Sequence, residues 1–488
     1  MMFSKKKAYF DNTATTRTRK EVVKVMQKYF SKDYANPTSI HESGLIARGS
    51  IEMARERIAN VLRVTSEELI FTSSGSESNN LAVYGAATAN KNRGKHIITS
   101  KIEHSSIIKT CTALEKEGFD VTYIGVDTRG HFNLQELEEH IRDDTVLVSL
   151  GYVNNEIGTI QDIAKIVAIV KRKGVLLHLD AVQALPYLPL DLTNIGADLV
   201  SFSGHKLYAP KGVGLLYIRE GTAIHPTIHG GGQEFGLRSG TENVPYAVGL
   251  SKAIILNQKE KTDYSKRLAL FRDYIIKYVL EYIPEAMLTG APQDRAPNHV
   301  SFCFKGISGK MLVKQLALNG FEVSSGSACS SPDNRPSAVL QACHIPEDYL
   351  LGSVRITLGK YNTKKEVVQF VRVLKNTIQR MREDDEPYNN EHIFISPSEL
   401  KAKLASSEKI QVLDVRHIKY PNVQIEGSLF MPAWKIKFQL KKLDPNVETV
   451  VACFQGDIIA PQIQQMLFKN GFANAKVLKG GILNYIAN

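Results

Sequence analysis

The residues in this sequence best suited to chemistry are a few polar groups that follow apolar runs. Ser201-Phe202-Ser203-Gly204-His205-Lys206 comes directly after the strand-like run Ala197 to Val200. A lysine at that point, buried at the edge of a pocket, loses proton affinity by desolvation, and its free amine is then available for Schiff-base chemistry. Alone the signal is weak, because most lysines are surface groups. Asp180 ends the run Val175 to Leu179. An isolated strand-end aspartate is more often a loop or cap residue, but one strand away from such a lysine it can keep an aromatic ring nitrogen protonated. Ser73-Ser74-Gly75-Ser76 stands between a strand, Leu69 to Thr72, and a helix expected from about Glu77. Small residues let backbone N–H groups close on a phosphate there, and the helix N-terminus adds favourable charge. A plain turn would explain this segment equally well.

Two cysteines stand out. Cys329 lies in Ser324-Ser325-Gly326-Ser327-Ala328-Cys329-Ser330-Ser331, which continues into Pro332-Asp333-Asn334-Arg335-Pro336. That composition makes a mobile surface loop. Free cysteines are usually buried as small hydrophobes, so one among serines and glycine is conspicuous, the alternative being an incidental loop thiol. Cys453 ends the run Val450 to Ala452. With Cys111, Cys303 and Cys343 the total is five, scattered and without a C-x-x-C pair. This argues against a disulfide framework and a structural zinc site, and for a cytosolic protein.

The elements that must position these residues follow from periodicity. Leu69 to Thr72, His96 to Thr99, Thr145 to Ser149 and Val175 to Leu179 read as buried strands, separated by helical stretches such as Asp162 to Lys173. Such alternation implies an α/β fold with a mostly parallel sheet covered on both faces, whose sites lie at the carboxyl ends of strands. This large domain is expected over residues 1–259. A smaller α/β domain is expected over 260–382, with room for part of the N-terminus to join it. It holds strands at Val300 to Phe304 and Val354 to Leu358. Its closing helix starts at a capping box, Thr363 and Glu366, and carries the stripe Val367, Phe370, Val371, Leu374, Ile378 and Met381. The acidic stretch from Glu383 reads as a linker, residues 383–391, before a small independent domain over 392–488.

The chain of 488 residues has 61 Lys and Arg against 50 Asp and Glu, a net charge of +11. No basic block longer than a few residues occurs, so a solvated lysine-rich surface is the simpler reading and no direct nucleic-acid partner is expected. No apolar run of about 18 residues is present, so neither a membrane span nor a membrane partner is expected.

The ordered set Tyr9-Phe10-Asp11-Asn12-Thr13-Ala14-Thr15-Thr16, Glu103-His104, Val153-Asn154-Asn155-Glu156-Ile157-Gly158, Asp180-Ala181-Val182-Gln183, Ser203-Gly204-His205-Lys206 and Arg238-Ser239-Gly240-Thr241 closely resembles the cysteine desulfurases. These are fold-type I, aminotransferase-like enzymes that depend on pyridoxal 5′-phosphate, and the resemblance runs over roughly residues 7–382. It implies that Lys206 forms the Schiff base, that Asp180 pairs with the pyridine nitrogen, and that His104 stacks on the ring and assists proton transfer. It assigns Gln183 to the phenolic oxygen, Gly75, Ser76, Ser203 and His205 to the phosphate, and Thr241 to the phosphate of a neighbouring subunit, hence a homodimer. Asn155 and Arg355 would orient the carboxylate of L-cysteine. Cys329 would take the sulfur as a persulfide, on a long loop like that of the subgroup with a mobile carrier, and pass it to acceptor proteins such as an iron–sulfur scaffold or a thiolation enzyme. Ser76 stands where the family usually has threonine, and the hydroxyl is kept. An aminotransferase or β-lyase on the same scaffold would bind the cofactor without needing Cys329. A cofactor-free scaffold protein would not bind it at all.

The last segment, with Val412-Leu413-Asp414-Val415-Arg416, Glu426 to Pro432, Val450 to Gly456 and Val477 to Gly481, is similar to a rhodanese domain. That likeness makes Cys453 a persulfide carrier. The family typically has an arginine five residues after this cysteine, and here the position is Ile458.

Overall fold

The computed structural model describes residues 7–326, 336–383, 393–406, 408–420, 423–454, 456 and 459–487. Its contacts divide the chain into two units, Met1–Arg382 and Glu383–Asn488. Cys329, most of the expected linker and Ile458 lie outside the described residues.

The first unit is built on a seven-stranded sheet in the order Leu69–Thr72, Gly214–Ile218, Leu199–Ser203, Leu176–Asp180, Thr145–Gly151, His96–Ser100, Asp120–Ile124. The expected parallel arrangement holds except at Gly214–Ile218, which runs antiparallel to both its neighbours. Apart from the edge strand Asp120–Ile124, these strands are largely buried on both faces, so they read as continuous β-branched and leucine-rich runs. One strand differs from its sequence reading. The run expected over Ala197 to Val200 forms Leu199–Ser203, further along the chain. Asp198 is held back by the Leu177 N–H at 2.8 Å and by Lys171 at 2.6 Å. Ser201 is buried in mid-strand because its hydroxyl meets His178 Nε2 at 2.9 Å. The shift carries the strand to the residue just before Gly204 and Lys206.

A helix of 39 residues, Val244–Tyr282, begins with Pro245 in its first turn and joins two cores. Val244 to Ile254 bury against the large sheet, whereas Tyr264, Leu268, Ile275 and Val279 bury in a second cluster. That second cluster surrounds an antiparallel sheet of Ala286–Leu288, His299–Phe304 and Ser353–Thr357. The N-terminus joins it, since Ala8–Tyr9 pairs with Phe321–Glu322 and Phe10 is fully buried there. The closing helix, Lys364–Glu383, is capped as its sequence requires. Glu366 accepts from the Thr363 N–H at 2.8 Å and donates its own N–H to Thr363 Oγ1 at 3.3 Å. Its stripe from Val367 to Ile378 is buried, and truncating Phe370 to alanine there would cost about 3–5 kcal/mol.

The second unit is an all-parallel sheet in the order Phe394–Ile395, Ala475–Leu478, Glu448–Ala452, Ile410–Asp414, Leu429–Phe430. Among the described residues no helix is long and apolar enough to cross a membrane.

Candidate active site

The parallel strands of the first unit end at a cavity of about 340 Å³. Gly75, Ser76, His104, Asn155, Asp180, Gln183, Ser203, His205, Lys206 and Arg355 all line it, although they come from segments spread over most of that unit. Thr241 lies apart, lining a smaller cavity of about 160 Å³ with Ser73, Glu234 and Arg238. Arg238 Nε meets Glu77 Oε1 at 2.8 Å, which ties the segment bearing Thr241 to the helix that starts at Gly75.

Lys206 ends the single turn Gly204–Lys206 after its strand. Its Nζ donates to the carbonyls of Thr13 at 2.6 Å and Ala14 at 2.8 Å. Burial, with the positive charge of Arg355 behind it, pulls its pKa from the ordinary 10.5 to about 8. About a tenth of the amine is therefore free at pH 7, far more than for an ordinary lysine. Burial and the same lysine push His205 down to about 4, so this ring is neutral.

Asp180, at the end of its strand, accepts from the Val182 N–H at 3.0 Å and from Asn79 Nδ2 at 2.8 Å. His104 caps the helix Ser105–Lys116, its Nδ1 accepting the Ser106 N–H at 3.2 Å. Gln183 Nε2 donates to Thr13 O at 3.3 Å.

The turn at Gly75 is tight for a steric reason. A Cβ there would stand 3.0 Å from both Ser203 Cβ and Val182 Cγ2, so glycine lets the start of this helix approach the strand ends without those side chains having to give way. Ser74 caps the helix by accepting the Glu77 N–H at 3.1 Å.

Arg355, 6 % exposed, spends one N–H on Asp11 Oδ1 at 3.0 Å and one on the Asn155 carbonyl at 3.1 Å. Its Nε is buried without a partner. Two N–H groups on its terminal nitrogens are thus left over for a carboxylate. The backbone of Arg355 also pairs with Ser324, at 2.7 and 3.1 Å. On the far side of the cysteine-bearing stretch, the Ser337 hydroxyl donates to Glu156 Oε2 at 2.6 Å, next to Asn155.

Sequence reasoning assigned no role to Asn79 or to Glu103. Glu103 is half-buried beside the cavity, accepts the Ser100 hydroxyl at 2.6 Å, and is pushed up to about 7 by desolvation. Its place next to His104 was visible in the sequence. Asn79 stands one helical turn after Gly75, which puts it on the same face, and that spacing is the signal that could have found it.

In the second unit Cys453 follows the strand Glu448–Ala452 and its Sγ accepts the Gly456 N–H at 3.2 Å. Arg416 is buried nearby. It forks onto Asp414 at 2.8 and 2.6 Å, and its guanidinium carbon lies 4.9 Å from the ring centroid of Phe454.

Residues 8–370 match the family described as aminotransferase class-V, and residues 396–488 match the rhodanese-like domain. The chain is 45% identical over 387 residues to a cysteine desulfurase, IscS, of Dictyoglomus turgidum, covering 79% of this chain and 98% of that protein. A solved NifS-like protein is 38% identical with a TM-score of 0.72, covering 77% of this chain and all of the other. The solved structure of SspA in complex with cysteine is 35% identical with a TM-score of 0.64, covering 73% and 99%. With its lysine, aspartate and histidine gathered at the strand ends and likeness over nearly the full length of such relatives, the chain belongs to the cysteine desulfurases of the class-V aminotransferase family and carries a rhodanese-like domain behind them.

Proposed function

We propose that the chain converts L-cysteine to L-alanine, leaving the sulfur as a persulfide on Cys329, with pyridoxal 5′-phosphate held in the 340 Å³ cavity. The observation that carries this reading is the pairing of a half-buried, easily deprotonated Lys206 with Asp180 in one cavity. The donor set fits the cofactor. An amine near pH 8 suits its aldehyde, a carboxylate suits its ring nitrogen, and the glycine turn at a helix start suits its phosphate. When bound, the cofactor supplies an electron sink for the substrate's α-carbon.

Each residue then has a defined task. Lys206 Nζ is the point of attachment, Asp180 holds a proton on the ring nitrogen, and Gln183 donates to the phenolic oxygen. Gly75, Ser76, Ser203 and His205 hold the phosphate, with Thr241 of the partner subunit in a homodimer. His104 would contact the ring and move the proton. Arg355 and Asn155 orient the carboxylate of cysteine, a substrate supported by the cysteine bound to SspA. The thiolate of Cys329 attacks the substrate sulfur, so one S–S bond forms as one C–S bond breaks and the carbon skeleton leaves as alanine. Cys329 comes five positions after Ser324, a reach of up to about 17 Å from a segment anchored on Arg355. The persulfide then passes to acceptor proteins for iron–sulfur cluster, thio-cofactor or transfer-RNA thiolation pathways in the cytoplasm, directly or through Cys453.

Feeding sulfur-labelled cysteine and mapping persulfides by mass spectrometry tests this reading. Label on Cys329 together with stoichiometric alanine is expected. Alanine and sulfide without label on Cys329 would make the chain a lyase instead.

A further inference from the structure

Beside the cavity three contacts run in series. The Asn79 amide donates through Nδ2 to Asp180 Oδ2 at 2.8 Å and to Ser106 Oγ at 2.9 Å. The Ser106 hydroxyl lies 2.7 Å from His104 Nδ1, and the Ser106 backbone N–H donates to the same nitrogen at 3.2 Å.

The chemistry of the groups sets the direction of every link. A carboxylate only accepts, so the nitrogen side of the Asn79 amide must face Asp180. Its two hydrogens are then divided between Asp180 and Ser106. The Ser106 hydroxyl, already accepting from Asn79, has its single hydrogen left for His104 Nδ1. That nitrogen receives two donors, so in the neutral ring the proton sits on Nε2.

Asn79 is 1 % exposed, and its Oδ1 is buried without a partner. An unpaired buried carbonyl is a cost to the fold, so the worth of an amide at this position lies in its donors. Both of those donors point along the chain of contacts between Asp180 and His104.

We propose that Asn79 is a positioning residue that fixes the Asp180 carboxylate and, through Ser106, the tautomer of His104, coupling the two groups. This rests on the reading that Asp180 and His104 both act on the cofactor. A charged Asp180 keeps the Asn79 amide oriented as a donor, and that orientation keeps the Ser106 hydroxyl turned toward His104. The imidazole thereby holds its mobile proton on the nitrogen free of these contacts.

The test uses the full chain, ¹⁵N-labelled at histidine, with cofactor removed and then restored, as wild type, Asn79→Ala, Ser106→Ala and the double variant. In the cofactor-free wild type the His104 ¹⁵N signals should report an unprotonated Nδ1 and a protonated Nε2. Each single variant should lower the population of that tautomer by a similar, partial amount, since the Ser106 backbone N–H still donates to Nδ1, and the double variant should lower it no further, because the side-chain links act in series. Asn79→Ala should also weaken cofactor binding about tenfold, since a hydrogen bond to a charged group is lost, while Ser106→Ala should change it by less than about threefold. Ser106 is only half-buried, so its variant decides the tautomer question even if Asn79→Ala does not fold. An unchanged His104 tautomer in Ser106→Ala, or independent and additive effects of the two substitutions, overturns the proposal. A wild-type chain that fails to bind the cofactor overturns the underlying reading instead.

Discussion

Both units set reactive groups where parallel strands end, but they assemble those ends in different ways. Lys206 reaches the carbonyls of Thr13 and Ala14, nearly two hundred positions earlier, and feels the charge of Arg355, about a hundred and fifty positions later. Cys453 finds its donor three positions along the same loop, at Gly456. An amine must be brought down from 10.5 to about 8 to serve near neutral pH, and enclosure by several distant segments does this. A sulfur acceptor needs backbone N–H groups around an anion, which one loop can supply. The first kind of site depends on the whole fold, the second on local geometry.

The sharpest way to break this contrast is to remove one group from each unit. Lys206→Ala should fold and lose alanine production by roughly a thousandfold or more, whereas Cys453→Ser should leave it within about twofold. Steady-state assays of both variants check this, and a strong effect of Cys453→Ser would make the units one catalytic system. Cys329→Ala should lose turnover nearly as completely, yet its cofactor absorbance should still respond to added cysteine, because the thiol acts after substrate binding.

Arg355→Lys keeps the charge but gives up the planar fork that spans Asp11 and the Asn155 carbonyl. Cysteine affinity should fall about tenfold with cofactor affinity little changed, as read by spectroscopic titration.

The tuning of Lys206 is open to a pH test. The ammonium form cannot attack an aldehyde, so capture of pyridoxal phosphate by the cofactor-free chain should rise with pH and level off above about 8. An exposed lysine would level off only near 10.5. Arg355 lowers the pKa of Lys206, so Arg355→Gln should move the plateau to higher pH while Arg355→Lys leaves it in place. A plateau unmoved by Arg355→Gln would leave burial as the sole cause.

The smallest signal concerns the second unit. Persulfide should appear on Cys453 only in chains that retain Cys329, and thiosulfate should load it poorly, because Ile458 stands where the family has arginine. Attack of one thiolate on the outer sulfur of a persulfide does not require that arginine. A Cys453 that never takes label would make this unit a docking module.

Much of this was legible before any coordinates. The alternation of apolar runs announced the doubly covered sheet, the Thr363–Glu366 pair announced the last helix of the first unit, and the cavity-lining motifs could each be read as short strings. Asn79 was passed over because its one-turn spacing after Gly75 is shared by many helix residues, and its meaning depends on Asp180 being a hydrogen-bond length away. The strand after Ala197 was misplaced because buried serines look like loop residues until His178 is found opposite them.

Residue types and short-range spacing, then, determined which side chains could react and which strands and helices would carry them, since periodicity and capping act over a few residues. Tertiary structure decided how reactive they are. The lowered pKa of Lys206 and the donors left on Arg355 arise from contacts between segments far apart in the chain, where burial and neighbouring charge act through space.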